Sequence, residues 1–257
     1  MMISTTMQKN KKNKIKIWTI LFWLSIWQLA SMALDKQILL ASPLSVGRCL
    51  LSLTVTLSFW QSVLFSIERI ALGFLCAAVS GMIFSAIAWN IRIVRDILAL
   101  PVAVLKATPV ASFIVLVLIW MPSRNLSVLI SFIMAFPIIY TNLLEGFAHL
   151  DGKLLEMAKV FKMSYGKKLY YLYFAGLFPY LKSSCAIAIG MCFKAGIAAE
   201  IIGIPKGSIG EKLYNAKIYL ETPELFAWTF VIIVVSVIFE KAFQWVLLLT
   251  AKKLNVK

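Results

Sequence analysis

The segment DGKLLEMAKVFKMSYGKKLY, Asp151–Tyr170, opens the longest polar interruption between apolar runs in this chain, and the interruption continues to Ser184. It carries six lysines: Lys153, Lys159, Lys162, Lys167, Lys168 and Lys182. Leu154, Leu155, Ala158 and Phe161 fall at i, i+1, i+4 and i+7, which sets them on one side of a helix. Glu156, Lys159 and Lys162 take the other side, and Gly166 offers a stop. The spacing predicts a short amphipathic helix, edged with lysine, held at a membrane surface. Such a helix has something to bind.

What lies on either side makes the membrane explicit. Of the 257 residues 61% are hydrophobic and only 14% charged, and the mean hydropathy is +0.88. A soluble domain is nearer half apolar and about a quarter charged. Six apolar runs appear: Ile17–Leu34, Ile67–Trp89, Ile97–Trp120, Leu126–Leu144, Cys185–Gly203 and Leu225–Leu249. The fold class is therefore an all-α polytopic membrane protein with six transmembrane helices. Residues 1–16 are expected to form a basic cytoplasmic tail, 17–60 the first span and an outer segment in which Ser42-Pro43 makes a turn. Residues 61–249 form a core of five spans with an inner loop at about 145–182, and 250–257 a second cytoplasmic tail. A basic start followed by an apolar run resembles a signal peptide, with Ser31-Met32-Ala33 as a cleavage pattern. The five spans that follow favour an uncleaved first helix.

The net charge of +15 would suit nucleic acid, but the basic residues sit in the links between apolar runs, where they set orientation and face lipid. With the amino terminus inside, 16 Lys and Arg fall on inner segments against 6 on outer ones. Both termini and the Asp151 loop are thus placed in the cytoplasm. Nucleic acid is not an expected partner.

Within the spans, Gly73, Ala77, Gly81 and Ser85 recur every four residues and line one helix face, a seam for another helix. Pro101, Lys106 and Pro109 interrupt the third run, which is either one bent span or a surface helix followed by a span; Lys106 is expected to snorkel to the inner surface. The aromatic residues after Lys168, including Tyr173, Phe174 and Phe178, are expected to lie along the membrane surface.

Catalytic chemistry has little to work with. Lys206-Gly207-Ser208 is the nearest string to a phosphate-binding loop, and its order is wrong. The single histidine, His149, leaves no histidine-based metal cluster or catalytic triad, and no pair among Cys49, Cys76, Cys185 and Cys192 has metal-site or redox spacing. No catalytic residue, metal site or cofactor is expected. Charges at membrane depth are the remaining candidates. In the fifth span Ala186, Gly190, Lys194 and Ala198 share a stripe. Glu200 lies ~9 Å farther along the axis from Lys194 and roughly 120° around it. Lys194 either faces a wet path and attracts an anion or pairs with a group on another helix. Glu200 either lies at the outer mouth of that path or holds the bundle together. Asn142, near the inner end of the fourth span, completes the candidate path residues.

At the cytoplasmic loop a family likeness appears. Glu156-Met157-Ala158, then Ser164, and Leu177-Phe178-Pro179 resemble the EAA loop of binding-protein-dependent ABC importer permeases. Ser66-Ile67-Glu68-Arg69 with Gly73-Phe74, then Thr108-Pro109, Phe136-Pro137 and Asn142, are similar to the nitrate/sulfonate/taurine branch. So are Ala199-Glu200-Ile201-Ile202-Gly203, Ile209-Gly210 and Thr222-Pro223-Glu224-Leu225-Phe226-Ala227. Three positions depart from the pattern: Met157 for a small residue, Lys162 for a glycine and Ala175 for a proline.

The resemblance implies a type I ABC importer permease-like fold in a bacterial cytoplasmic membrane, with the loop helix as a coupling helix. Glu156, Ala158, Lys159, Ser164 and Tyr165 would contact a cytoplasmic ATPase dimer, which binds the ATP. A second copy of the permease, making a homodimer, would complete the path, and an extracytoplasmic binding protein or lipoprotein would deliver the solute. Alkanesulfonate, taurine, nitrate and a thiamine precursor are the implied cargoes. A stand-alone secondary transporter or channel is the alternative class; it leaves the amphipathic loop unexplained, and the spans show no inverted repeat.

Overall fold

The computed structural model describes residues 16–34 and 38–253, apart from the side chains of Tyr165, Leu169, Tyr170 and Lys253. Most of the expected amino-terminal tail and the last four residues lie outside the described residues. The described chain is helical throughout, without strands. In order the helices are α1 (Ile17–Leu34), α2 (Pro43–Thr54), α3 (Leu57–Asn90), α4 (Arg92–Ala107), α5 (Val110–Trp120), α6 (Leu126–Ala148), α7 (Gly152–Val160), α8 (Tyr165–Lys168), α9 (Ala175–Gly203), α10 (Ile209–Ile218) and α11 (Thr222–Lys253). Five helical stretches are long and apolar enough to cross a membrane, and the bent α4–α5 pair makes a sixth.

The centre is a three-helix sandwich of α3, α6 and α9, packed along their lengths. Gly73, Ala77, Gly81 and Ser85 are all buried on α3. A Cβ at Gly73 would overlap the Val128 carbonyl oxygen, and one at Gly81 would come within 3.0 Å of Ile139. The small-residue stripe is thus the seam that lets α3 and α6 approach backbone to backbone. Helix α11 covers the sandwich with rings, Phe243 on Phe74 at 4.9 Å and Phe239 on Phe193 at 5.5 Å. Helix α1 stays at the periphery, burying only Ser31.

Several expectations change. The outer segment is not a loop: Ser42 caps α2, its hydroxyl accepting from the Ser45 amide at 3.2 Å, with Pro43 in the first turn. Val46, Cys49, Leu50 and Leu53 then pack towards Ala227, Phe226 and Trp27. The third run breaks at Thr108-Pro109 by 107°. The exposed Lys106 turns its Nζ to α6, donating to Thr141 Oγ1 at 3.1 Å. The aromatic stretch is not a separate surface segment. It continues as α8, a π-helical run Leu169–Phe174 and α9, with Tyr173 against Phe147 and Phe174 against Phe178. The Ala175 departure fits this continuity, because a proline there would lack the amide that extends the helix.

The amphipathic helix forms as α7, with Asp151 as its cap accepting from the Lys153 amide at 2.9 Å. It ends at Val160, with Phe161 as its C-cap and Lys162 turning the chain away ahead of the expected stop at Gly166. Lys162 has φ +46°, the Met163 amide reaches Ala158 O at 3.0 Å and the Lys162 amide reaches Lys159 O at 3.0 Å. That pair of bonds is the Schellman termination, whose left-handed residue is most often glycine. The glycine expected from the family likeness at 162 therefore has a backbone reason. Lys162→Gly should relieve the left-handed penalty and stabilise this terminus by about 1 kcal/mol, after allowing for glycine's freer unfolded chain. Hydrogen exchange at the Lys162 and Met163 amides should slow; faster exchange in the variant would contradict the assigned turn.

Candidate functional site

Helix α7 stands apart from the bundle, making no extensive packing with another helix among the described residues. Its faces divide differently from the sequence expectation. Ala158 is buried and Leu155 half-buried, whereas Leu154 and Phe161 point outward with Met157 and Val160. Val160 and Phe161 are 77% and 72% exposed. Glu156, Lys159 and Ser164 are exposed beside them; the Tyr165 side chain lies outside the described residues. Leucine, methionine, valine and phenylalanine thus form an outward apolar strip flanked by Glu156 and Lys159. A strip of this form is suited to a groove in a partner.

At the opposite end, where α10 lies, Glu200 is fully enclosed. Its Oε2 accepts from Ser66 Oγ at 2.6 Å and from the Gly210 amide at 3.3 Å, while Ser66 Oγ accepts from the Ile209 amide at 3.0 Å. Glu200 Oε1 and Ser127 Oγ have no hydrogen-bond partner among the described residues. Residues of α3 and α9 thereby cap the first turn of α10, where free amides favour a carboxylate. The α10 start has a second support: Ser208 Oγ accepts from the Glu211 amide at 3.0 Å, and Glu211 Oε2 accepts from the Gly207 amide at 2.6 Å. Arg69 lies close by, its guanidinium 3.9 Å over Phe65 and its Nε donating to Arg124 O at 2.7 Å. These contacts tie α3, α9, α10 and the α5–α6 turn into one unit. They also hold Ile204, which ends α9 in the left-handed region at φ +45°, a costly conformation for a β-branched residue.

Lys194 sits elsewhere on α9. It is exposed, without a hydrogen bond or ion pair among the described residues. Ile187, Met191 and Ile202 share its exposed side, and a Cβ added at Gly190 would meet nothing within 4 Å. Nine residues separate it from the end of α9, ~14 Å of helix, more than a lysine stem spans with comfort. Asn142 is on α6, its Nδ2 donating to Ile138 O at 2.8 Å. It lies 15 residues, ~22 Å of helix, from the Ser127 level of the Glu200 cluster. The three candidate path residues are therefore not one cluster: Glu200 is interior to the α10 end, Asn142 is near the α7 end, and Lys194 lies between on an open face.

The comparisons add the family. No family model matches the sequence. A Bacillus subtilis protein named as an aliphatic sulfonates transport permease is 23% identical over 215 residues, covering 83% of this chain and 78% of that one. The taurine transport system permease protein of Escherichia coli is 23% identical over 233 residues, 88% of this chain and 84% of its own length. The chain is similar to transmembrane transport permeases, and its five or six apolar spans agree with that likeness. The nitrate import permease of Synechococcus elongatus extends the set at 24% identity over 155 residues, 60% of this chain and 55% of that protein. Among the described residues, the features that the fold itself leaves unengaged are the free-standing α7 and the exposed Lys194.

Proposed function

We propose that this permease carries a small oxyanion-bearing solute across a bacterial cytoplasmic membrane, driven by a separate ATPase that receives α7. The observation that carries the reading is the outward apolar strip of α7. A helix left out of its own bundle, with Val160 and Phe161 uncovered, supports docking in a partner's groove. Glu156, Ala158, Lys159, Ser164 and Tyr165 form the proposed coupling region, with Ala158 seating the helix and the exposed residues meeting the ATPase. The chain itself needs no catalytic residue: ATP is bound by the partner dimer, and closure of that dimer shifts α7 as a rigid body. The charge count of the links supports placing α7 and both termini in the cytoplasm.

The curated relatives are named for aliphatic sulfonates, nitrate, taurine and bicarbonate, all of which carry a compact anionic oxygen group. Lys194 suits that shared chemistry. An ammonium facing hydrocarbon costs about 3 kcal/mol at a span centre, so its open face is better placed against a second copy of the permease and the path between them. Glu200 belongs to the frame of that path, and Asn142 to its cytoplasmic end. A binding protein or lipoprotein on the α10 side would deliver the solute.

The test is purification in mild detergent and reconstitution into liposomes. A stoichiometric ATPase should co-purify with the permease, and Val160→Asp, which puts a charge into the strip, should reduce its recovery about tenfold. Uptake of a sulfonate or nitrate should need ATP and the partner. Transport by the permease alone, without nucleotide, would instead establish a secondary transporter or channel.

A further inference from the structure

At the α7 end, α3, α6 and α9 part and leave a half-open cavity of about 410 Å³. Its wall is built mainly from Met82 and Trp89 of α3, Leu143 and Phe147 of α6, Leu177 of α9 and Tyr173 of the π-helical run. Trp89 and Phe147 stack at 5.8 Å and 15°, giving the wall a flat aromatic panel. Among the described residues no charged side chain lines it. Besides the ring donors of Trp89 and Tyr173, its polar side chains are Ser85 and Asn90, which bond their own helix: Ser85 Oγ donates to Met82 O at 3.0 Å and Asn90 Nδ2 to Ala86 O at 2.7 Å. A water needs two to four polar partners to stay in such a space, and a small anion would lose its hydration for few donors and no charge in return. The cavity is thus unsuited to the solute proposed above.

An apolar chain fits it. An apolar cavity of about 150 Å³ holds one benzene, so by proportion this one accepts roughly 15 carbon atoms. The helices that form it are long and apolar enough to span a bilayer, which puts its opening within reach of lipid. Arg92 and Arg95 follow Asn90 on the next helix, and Lys182 follows Leu181 on α9; none has an ion pair among the described residues. Arg92 and Arg95, two and five residues past Asn90 of the wall, set basic groups after an apolar slot, which matches the build of a phospholipid with its chain inside and its phosphate at the membrane surface.

We propose that this cavity is a phospholipid site, holding one acyl chain of the leaflet on the α7 side with the phosphate near Arg92 and Arg95. The site bears on coupling by position. Leu143 and Phe147 are in the last two turns of α6, three residues before the Asp151 cap of α7, and Tyr173 belongs to the run that leads from α7 into α9. A chain in the slot fills the space into which both flanks of the coupling loop would otherwise collapse. The inference rests on the bundle spanning a bilayer but not on the ATPase or the solute.

The experiment uses the full-length permease in bilayers of phosphatidylglycerol bearing a diazirine near the methyl end of one chain. After irradiation, mass spectrometry should find adducts in Met82–Trp89 and Tyr173–Leu181. Ala86→Trp, which fills the slot, should lose these adducts while keeping those on α1, and the milder Leu143→Phe should reduce them if the larger change fails to fold. Arg92→Gln with Arg95→Gln should lower the yield from phosphatidylglycerol more than the yield from a zwitterionic phosphatidylcholine probe. Labelling of the slot that ignores the filling variants would overturn the proposal. So would a photo-crosslinker at Trp89 that joins two permease copies or a partner protein in place of lipid. Since neither readout requires ATP or transported solute, failure here is distinguishable from failure of the transport reading.

Discussion

Gly210→Ala is expected to dislocate the α10 end of the permease and lower its thermal midpoint in detergent by about 10 °C, a cost of about 3 kcal/mol or more. The reason is contact with backbone. A methyl at 210 would overlap both Cβ and the carbonyl carbon of Glu200 and crowd the Ile201 nitrogen. Helix α9 is held there by the central sandwich, so the α10 turn must move instead, which pulls the Gly210 and Ile209 amides from Glu200 and Ser66. Loss of those bonds leaves the buried carboxyl with Ser66 as its one donor and strips Ser66 of the Ile209 amide, and buried polar groups that lose partners are costly. Glu200→Ala should destabilise in the same direction by about 2 kcal/mol, and Glu200→Gln by less, because the amide keeps an acceptor for Ser66. The double change Gly210→Ala with Glu200→Ala should cost less than the sum, since one contact is removed twice. Thermal unfolding of the four proteins followed by tryptophan fluorescence decides it. A Gly210→Ala protein as stable as the parent would remove the basis for treating this cluster as a latch.

What the sequence made legible, and what it did not, divides along a physical line. Ile17–Leu34 matches α1 from end to end because a lipid-facing helix must be apolar on all sides, and that property is local. The Gly73 stripe is also local, a matter of spacing on one helix. Helix α7 was visible through its period, but its faces were not. Leu154 and Phe161 share a broad side with Leu155 and Ala158, and which part of that side turns inward depends on the chain around it. Two short helices were missed for a different reason. Ser42-Pro43 and Ser208-Ile209-Gly210-Glu211 carry capping signals, yet the residues after them lack the long apolar run that marks a span. The cap rules alone were sufficient to find both. Glu200 required the third dimension, because Ser66 is 134 residues away and no spacing within α9 points to it. Lys162 is the reverse case: its backbone angle is a local fact, but the side chain present is the one that disguises it.

Lys194→Met is expected to cut ATP-driven uptake of an anionic solute about tenfold or more while leaving the fold and the ATPase complex intact. A charge-assisted hydrogen bond contributes about 1.5–3 kcal/mol, and 1.4 kcal/mol is a factor of ten. Two observations make the fold insensitive. Lys194 has no hydrogen bond or ion pair among the described residues, so its removal orphans nothing. Methionine is also a good helix former of similar reach. The loss should appear in the KM for the anion, with co-purified ATPase and thermal midpoint unchanged. Lys194→Arg should keep part of the uptake, because the charge remains while its shape differs. A neutral solute, if carried at all, should be indifferent to both changes. The structural alternative makes the opposite forecast: a lysine that held two copies together would, on becoming methionine, alter the dimer and its midpoint before it altered KM. Uptake of sulfonate or nitrate at the parent KM in Lys194→Met would remove this lysine from the path, and the open face of α9 around Gly190 would then have to be explained by packing between copies alone.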